Sequence, residues 1–187
     1  MSHLRSSRPA RTLAAVAALG AAVALGASTP AAPASAAPAA APSAQDVAYL
    51  QFAARANLSE IAQGQLAKKQ AGDPAVRSFG KDMVKDHRKQ LAALEQTATA
   101  LGVALPSRPT KQQRQVARAF SRLDGGTFDC AYVPFQWGDH QLVITMTTAE
   151  TTAGTDPTVK QSAAASLPVL QEHYEHATML LGELGRC

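Results

Sequence analysis

The 187-residue sequence holds only two cysteines, Cys130 and Cys187. Two thiols are too few for a cysteine-built zinc knuckle. Aromatic residues are scarce, at 5%, and no segment alternates apolar and polar side chains with period two. That absence excludes a β-rich fold and the strand pattern of a membrane barrel. No phosphate-cradling Gly-rich loop, nucleophile elbow or Cys-based redox motif is present, so Ser or Cys nucleophilic chemistry has no support. The longest apolar run, "LAAVAALGAAVALGA" at residues 13–27, is too short for a comfortable membrane-spanning helix.

What is present begins with a basic patch, Arg5, Arg8 and Arg11, ahead of that run. Small residues follow, including Ala34-Ser35-Ala36, which suits signal peptidase. Residues 1–36 therefore read as a secretory signal; an uncleaved N-terminal anchor is the alternative on the same pattern. Cleavage changes the charge balance. The three arginines leave, so 18 basic against 14 acidic residues becomes 15 against 14, a net charge of +1. The basic character is then poor support for a nucleic-acid partner. Residues 37–45, "APAAAPSAQ", read as a disordered Ala/Pro tether. Residues 46–187 remain, enough for one domain with one core and with no integral membrane segment. The expected location is secreted or extracytoplasmic, in the cell envelope.

Four long segments carry helical periodicity. The first runs from about Asp46 to Ala71 and stops at Gly72. Asp73-Pro74 caps the second, which runs to Gly102. A short basic helix, Lys111 to Leu123, precedes the Gly125-Gly126 break. The third long helix starts near Thr127 or Phe128 and stops at Gly154; Asp156-Pro157 caps the fourth, which reaches about Leu184. Each hairpin thus repeats one plan: helix, Gly, Asp-Pro cap, helix. Short turns force antiparallel neighbours, and two hairpins make an all-α antiparallel four-helix bundle. The connection from Val103 to Gly126 could cross the bundle or turn at one end. Antiparallel pairing of the last two helices places Cys130 near Cys187, so a disulfide is expected in an oxidising compartment, with a free buried Cys130 as the alternative.

Stripes at spacings of three and four put one ionisable residue into each helix's apolar face. The second helix gives Phe79, Met83, His87, Leu94 and Ala98; the third gives Val133, Trp137, His140, Ile144 and Thr147. The fourth gives Val159, Ala163, Leu170, His173, Ala177 and Leu180; the first gives Leu50, Ala53, Ala56 or Asn57, Glu60, Gly64 and Ala67. Counted from the turns at about 1.5 Å per residue, Glu60, His87, His140 and His173 all lie near mid-height. Buried ionisable groups are costly unless they pair or bind a metal. One Glu and three His suit Zn, Cu or Fe. The alternative is an ionic and hydrogen-bonded cluster that fixes bundle register. Asp86 and Asp139 point about 100° away from the histidines they precede, as supporting acceptors or surface carboxylates. His176 is an alternate ligand one turn after His173, whereas Glu150 is too far from His140 to share its site. Lys111, Arg114, Arg118 and Arg122 share a face that reads as solvated, or as a dock for an anionic envelope polymer. Pro168 is expected to bend the fourth helix before His173.

The run "ANLSEIAQGQLAKKQAGDPAVRSFGKDMVKDHRKQLAAL", then "FDCAYVPFQWGDHQLV" and "DPTVKQSAAASLPVLQEHYEHA", resembles the exported bacterial family catalogued as domain of unknown function 4142. The resemblance implies a ferritin-like four-helix bundle; the short basic helix read above stands between its second and third helices. It falls on Glu60, Asp86-His87, His140, Glu150 and His173, and it brings no established activity. Ferritin-like di-iron proteins use Glu-x-x-His on two helices. Here Glu172-x-x-Glu175 and His173-x-x-His176 stand instead, so a metal-dependent oxidase is the distant alternative. Pro134 and Trp137-Gly138 also depart from the family's usual third helix. The expected function is a secreted, non-enzymatic bundle with a mid-core metal site, or a structural or interaction module without one. No envelope partner can be named from the sequence.

Overall fold

The Asp-Pro pairs do what their chemistry predicts. Asp73 accepts from the Ala75 N–H at 2.6 Å, and Asp156 accepts from Thr158 and Val159 at 2.8 and 3.1 Å. Each proline sits in the first helical turn, where its missing N–H costs nothing. A computed structural model describes residues 41–185 and 187; the proposed export segment and residues 37–40 lie outside them. Five helices follow in order: α1 (Ala44–Gln70), α2 (Pro74–Ala100), α3 (Lys111–Phe120), α4 (Gly125–Ala153) and α5 (Pro157–Leu184). Among the described residues there is no strand.

Helices α2 and α3 stop at Ala100 and Phe120, short of the expected Gly102 and Leu123, and two helices start earlier than expected. Helix α1 begins at Ala44, because Ser43 accepts from the Asp46 N–H while Asp46 takes the Ser43 N–H at 2.7 Å, a closed capping box. Ser43 to Gln45, at the end of the stretch read as a tether, therefore form the cap and first residues of α1. Helix α4 begins at Gly125, whose φ of +55° suits glycine, and runs unbroken through Pro134. Helix α5 likewise continues through Pro168, whose ring faces solvent.

The long connection crosses the bundle. Ala71 at the end of α1 pairs with Gly125 at the start of α4, so residues 101–124 must return from the far end of α2. Helix α1 packs on α2 and α4, and α5 packs on α4 and α2, every one of these pairs antiparallel. Helix α3 lies over α1 and α4. One long crossover joining two hairpins is the ferritin-like arrangement.

Two carboxylates lock the hairpins together. Asp129 of α4 accepts from the Gly72 and Asp73 N–H groups in the first turn, at 3.1 and 2.8 Å. Asp46 of α1 accepts from the Thr155 and Asp156 N–H groups in the second, at 2.9 and 3.2 Å, and from the Thr155 hydroxyl. Each hairpin thus clasps the turn of the other. Between α1 and α2 the spacing is set by glycine. A Cβ on Gly64 would lie 2.9 Å from the Gly80 carbonyl, and one on Gly80 would lie 2.6 Å from the Ala67 Cβ. This close approach sits one turn from Glu60.

The core divides by height. Phe79, Phe120, Phe128, Tyr132 and Leu180 fill the end near the first turn, and Tyr49, Leu50, Leu94 and Val159 fill the other. Between them lies a polar belt. The buried face of α4 keeps Val133, His140 and Thr147 of the expected stripe, but Gln136 and Val143 are buried where Trp137 and Ile144 were expected. The reason lies on α1, where Gln63 accepts from Gln136 at 2.6 Å and makes a polar side chain the better filling. Trp137 is half-buried and stacks on Tyr174 instead.

Two stability predictions follow from these clasps and from the cysteine pair. Burial alone would raise the Asp46 carboxyl, yet hydrogen bonds from Ser43 and Thr155 outweigh it and hold the group well below its ordinary value of 3.8. Its folded value lies below its unfolded one, so this contribution is present above pH 3.8 and is lost as pH falls below it. In urea unfolding, Asp46→Asn is expected to lose about 2–3 kcal/mol at pH 7. It should also show a shallower fall in stability below pH 3.8 than the parent; equal slopes would refute the clasp. The Cys130–Cys187 disulfide brings Cα atoms to 5.1 Å across a separation of 57 residues. Loop closure on that scale is worth about 4 kcal/mol. Cys187→Ser should lower unfolding stability toward that figure with unchanged helical circular dichroism.

Candidate metal centre

The four ionisable residues of the stripes meet at mid-height, and all four are buried. Helix α1 supplies Glu60, α2 His87, α4 His140 and α5 His173. The imidazole ring centroids lie 5.1 to 5.7 Å apart. One nitrogen from each imidazole lies within 4.8 Å of the others. Glu60 stands beside this trio, with Oε2 3.2 Å from His87 Nδ1 and Oε1 3.7 Å from His140 Nε2.

The surroundings fix which nitrogens carry protons. Asn57 donates its amide N–H to the Ala53 carbonyl at 2.8 Å, so its oxygen faces His87 Nδ1 at 3.0 Å. An amide oxygen only accepts; His87 Nδ1 therefore carries the hydrogen. His140 Nδ1 meets the Gln136 carbonyl at 2.9 Å and donates for the same reason. His173 Nε2 lies 3.3 Å from the Asp86 carboxylate and donates to it. Each imidazole thus uses its outer nitrogen as an anchored donor. The inner nitrogens, His87 Nε2, His140 Nε2 and His173 Nδ1, are left with bare lone pairs.

Electrostatics keep them bare. Burial pushes His87 well down from its ordinary range, and the neighbouring His140 and His173 push it further. Burial and His173 bring His140 down to about 4. Burial also lowers His173, against the opposing pull of Asp86. Burial, helped by the charge of Asp139, raises Glu60 well above the usual carboxylate range. All three imidazoles are therefore neutral at pH 7, the form that ligates metals. Yet His87 Nε2 and His173 Nδ1 face each other at only 3.2 Å. Two lone pairs at that distance repel unless a cation lies against both. Among the described residues, His140 Nε2 and Glu60 Oε1 have no hydrogen-bond partner at all. Donors 2.0–2.1 Å from a tetrahedral ion stand about 3.4 Å apart, close to the observed pair. The donor set fits a transition-metal ion.

The remaining candidates sort cleanly. Asp86 is the supporting acceptor for His173, from a neighbouring helix. Asp139 is half-buried, pushed up to about 6 by burial, and acts on Glu60 through its charge. His176 packs its ring on Phe79 at 4.9 Å, outside the trio. Glu150 lies at the far end of the bundle, beside Gln45. Lys111, Arg114, Arg118 and Arg122 are exposed. Asn57 was an ambiguous stripe position, although Asn57, Glu60 and Gln63 recur every three residues as one polar ridge on α1. The Gln136 carbonyl carries no side-chain signal and is visible only once α4 is built.

The fold has a solved counterpart. The crystal structure of a DUF305 fragment from Deinococcus radiodurans superposes with a TM-score of 0.67 at 15% identity, covering 79% of this chain and 100% of that one. At that identity the likeness concerns the fold alone. Among curated proteins, no sequence matches this chain. A family model described as a domain of unknown function, DUF4142, matches residues 31–180. With two helical hairpins, one crossover and the family's sequence pattern over most of its length, the chain belongs to the DUF4142 family.

Proposed function

We propose that this protein is an exported, non-enzymatic metal-binding bundle. His87 Nε2, His140 Nε2 and His173 Nδ1 are its primary ligands, and Glu60 Oε1 is the fourth donor. The observation that carries the reading is the pair of bare nitrogens on His87 and His173 at 3.2 Å in a buried setting. Asn57, the Gln136 carbonyl and Asp86 orient the three rings, as outer-shell partners of ligand histidines commonly do. An imidazole-rich set with one carboxylate suits Zn, Cu or Fe. Bound there, the ion would supply a fixed positive charge and a Lewis acid. Export is supported by the N-terminal pattern and by the disulfide. Among the described residues no helix is long and apolar enough to cross a membrane.

A second reading has its own support. Glu60 Oε2 and Asn57 both contact His87 Nδ1, so a metal-free, hydrogen-bonded cluster could act as a register device within a structural or interaction module. That reading accounts for the outer contacts and leaves the inner lone pairs unexplained.

Metal analysis of the natively exported protein separates the two. One ion per chain is expected by native mass spectrometry, lost in His87→Ala and His140→Ala. Reconstitution at about a hundredfold over Kd should stabilise the parent by about 2.7 kcal/mol, a rise of several degrees in Tm. The same addition should leave His140→Ala unmoved. A parent that takes up no ion and gains no stability from Zn, Cu or Fe supports the register device instead.

A further inference from the structure

Helix α3 lies over α1 and α4, and its first turns bound a cavity of about 440 Å³ against those two helices. Its size falls within the ordinary range for a small-molecule site. The space is left because α3 closes the seam at one end only. Phe120, at the end of α3, is buried in the aromatic cluster, whereas Val116 is the one apolar side chain that α3 gives to the cavity. Phe52 of α1 and Phe135, Leu142 and Val143 of α4 make the walls apolar. The polar side chains at the rim are mostly spent on the chain itself. Gln113 and Thr110 cap each other's backbone at the start of α3, and Gln51 donates to the Ala104 carbonyl at 3.4 Å.

Two charges of opposite sign also line this space, Arg55 from α1 and Asp139 from α4. Both are half-buried. Among the described residues neither side chain makes a hydrogen bond or an ion pair, with the other or with any neighbour. A charge drawn out of water without a counter-charge is costly. A guanidinium only donates and an ionised carboxylate only accepts. The group that completes Arg55 must therefore accept, and the group that completes Asp139 must donate. We propose that the cavity binds a zwitterion with an apolar side chain, of the free hydrophobic α-amino acid class. Its carboxylate sits on Arg55, whose planar fork matches two oxygens, and its ammonium on Asp139. A simple anion would satisfy Arg55 and leave Asp139 facing a like charge; a simple cation would do the reverse. The walls select the side chain, because Phe52, Phe135 and Leu142 offer a polar one no partner. None of Glu60, His87, His140 and His173 lines this cavity, so the assignment does not rest on the metal reading.

Isothermal titration calorimetry on the full-length protein at pH 8 provides the test. At that pH the Asp139 carboxyl, pushed up to about 6 by burial, is ionised. L-Phenylalanine and L-leucine should bind saturably. Glycine, 3-phenylpropionate (no ammonium) and phenethylamine (no carboxylate) should each bind at least about tenfold more weakly. That is the scale of one charge-assisted hydrogen bond or of one buried apolar side chain. Arg55→Gln should weaken phenylalanine at least about tenfold and leave phenethylamine no weaker. Asp139→Asn should do the same to phenylalanine and leave 3-phenylpropionate no weaker, so each variant carries its own control for an intact cavity. No saturable binding of either amino acid, single-charge analogues that bind as tightly as phenylalanine, or variants that bind phenylalanine as the parent does would overturn the proposal.

Discussion

Keeping four ionisable side chains in the dry middle of a helical bundle is the constraint to which the rest of this molecule answers. A buried polar atom without a partner costs about 1–3 kcal/mol. The outer nitrogens of His87, His140 and His173 escape that cost through Asn57, the Gln136 carbonyl and Asp86. Their inner nitrogens do not. The apolar clusters on either side deepen the effect, because they exclude the water that would otherwise solvate the lone pairs. A small cation bound there would resolve the imbalance for all three rings at once and would favour the ionised form of Glu60.

Such a site requires register. Sliding one helix by a single residue turns its side chains by about 100° and moves them by about 1.5 Å, enough to separate donors from one another. The clasps at the two ends work against that slip. Asp129 holds the first turn and Asp46 the second, so each hairpin is stopped at the end where the other turns. The Gly64–Gly80 contact then sets the distance between α1 and α2, one turn from Glu60. The disulfide adds a covalent tie between the start of α4 and the chain's final residue. Rigid ends and a polar middle are consequences of one another.

The amino-acid pattern makes much of this legible, for reasons that are local. Asp-Pro caps, stopping glycines and stripe periodicity depend on neighbouring residues, so the hairpins, their shared plan and the common height of Glu60, His87, His140 and His173 can be read directly. What escapes depends on contacts between distant segments. The crossover is decided by Ala71 meeting Gly125, two glycine-flanked positions with no distinguishing side chain. The stripe of α4 misleads at two of its positions, where Trp137 and Ile144 look more apolar than Gln136 and Val143, yet Gln63 on α1 awaits Gln136. Tautomers follow from a backbone carbonyl and a rotated amide, neither of which periodicity reports.

The two hairpins also explain why the donors lie to one side. Their Asp-Pro caps, Asp73 and Asp156, and their clasping carboxylates, Asp46 and Asp129, stand at matching positions, as do Tyr49 and Tyr132. By that same count, Glu60 corresponds to Val143, His87 to Leu170, and His173 to Gln90. Val143, Leu170 and Gln90 all line a cavity of about 480 Å³ between α2 and α5. A scaffold with approximate two-fold repetition therefore carries ionisable groups at Glu60, His87 and His173 and the uncharged Val143, Leu170 and Gln90 at the matching positions. His140 and Asn57 also correspond, and both remain polar, one as a donor and one as the acceptor that orients His87. Symmetric packing gives the two halves equal depth and equal height. The departure from symmetry in side-chain chemistry then leaves that cavity on the carboxyl side of the cluster, bounded by Asn57 and Glu60, with the three imidazoles outside its lining.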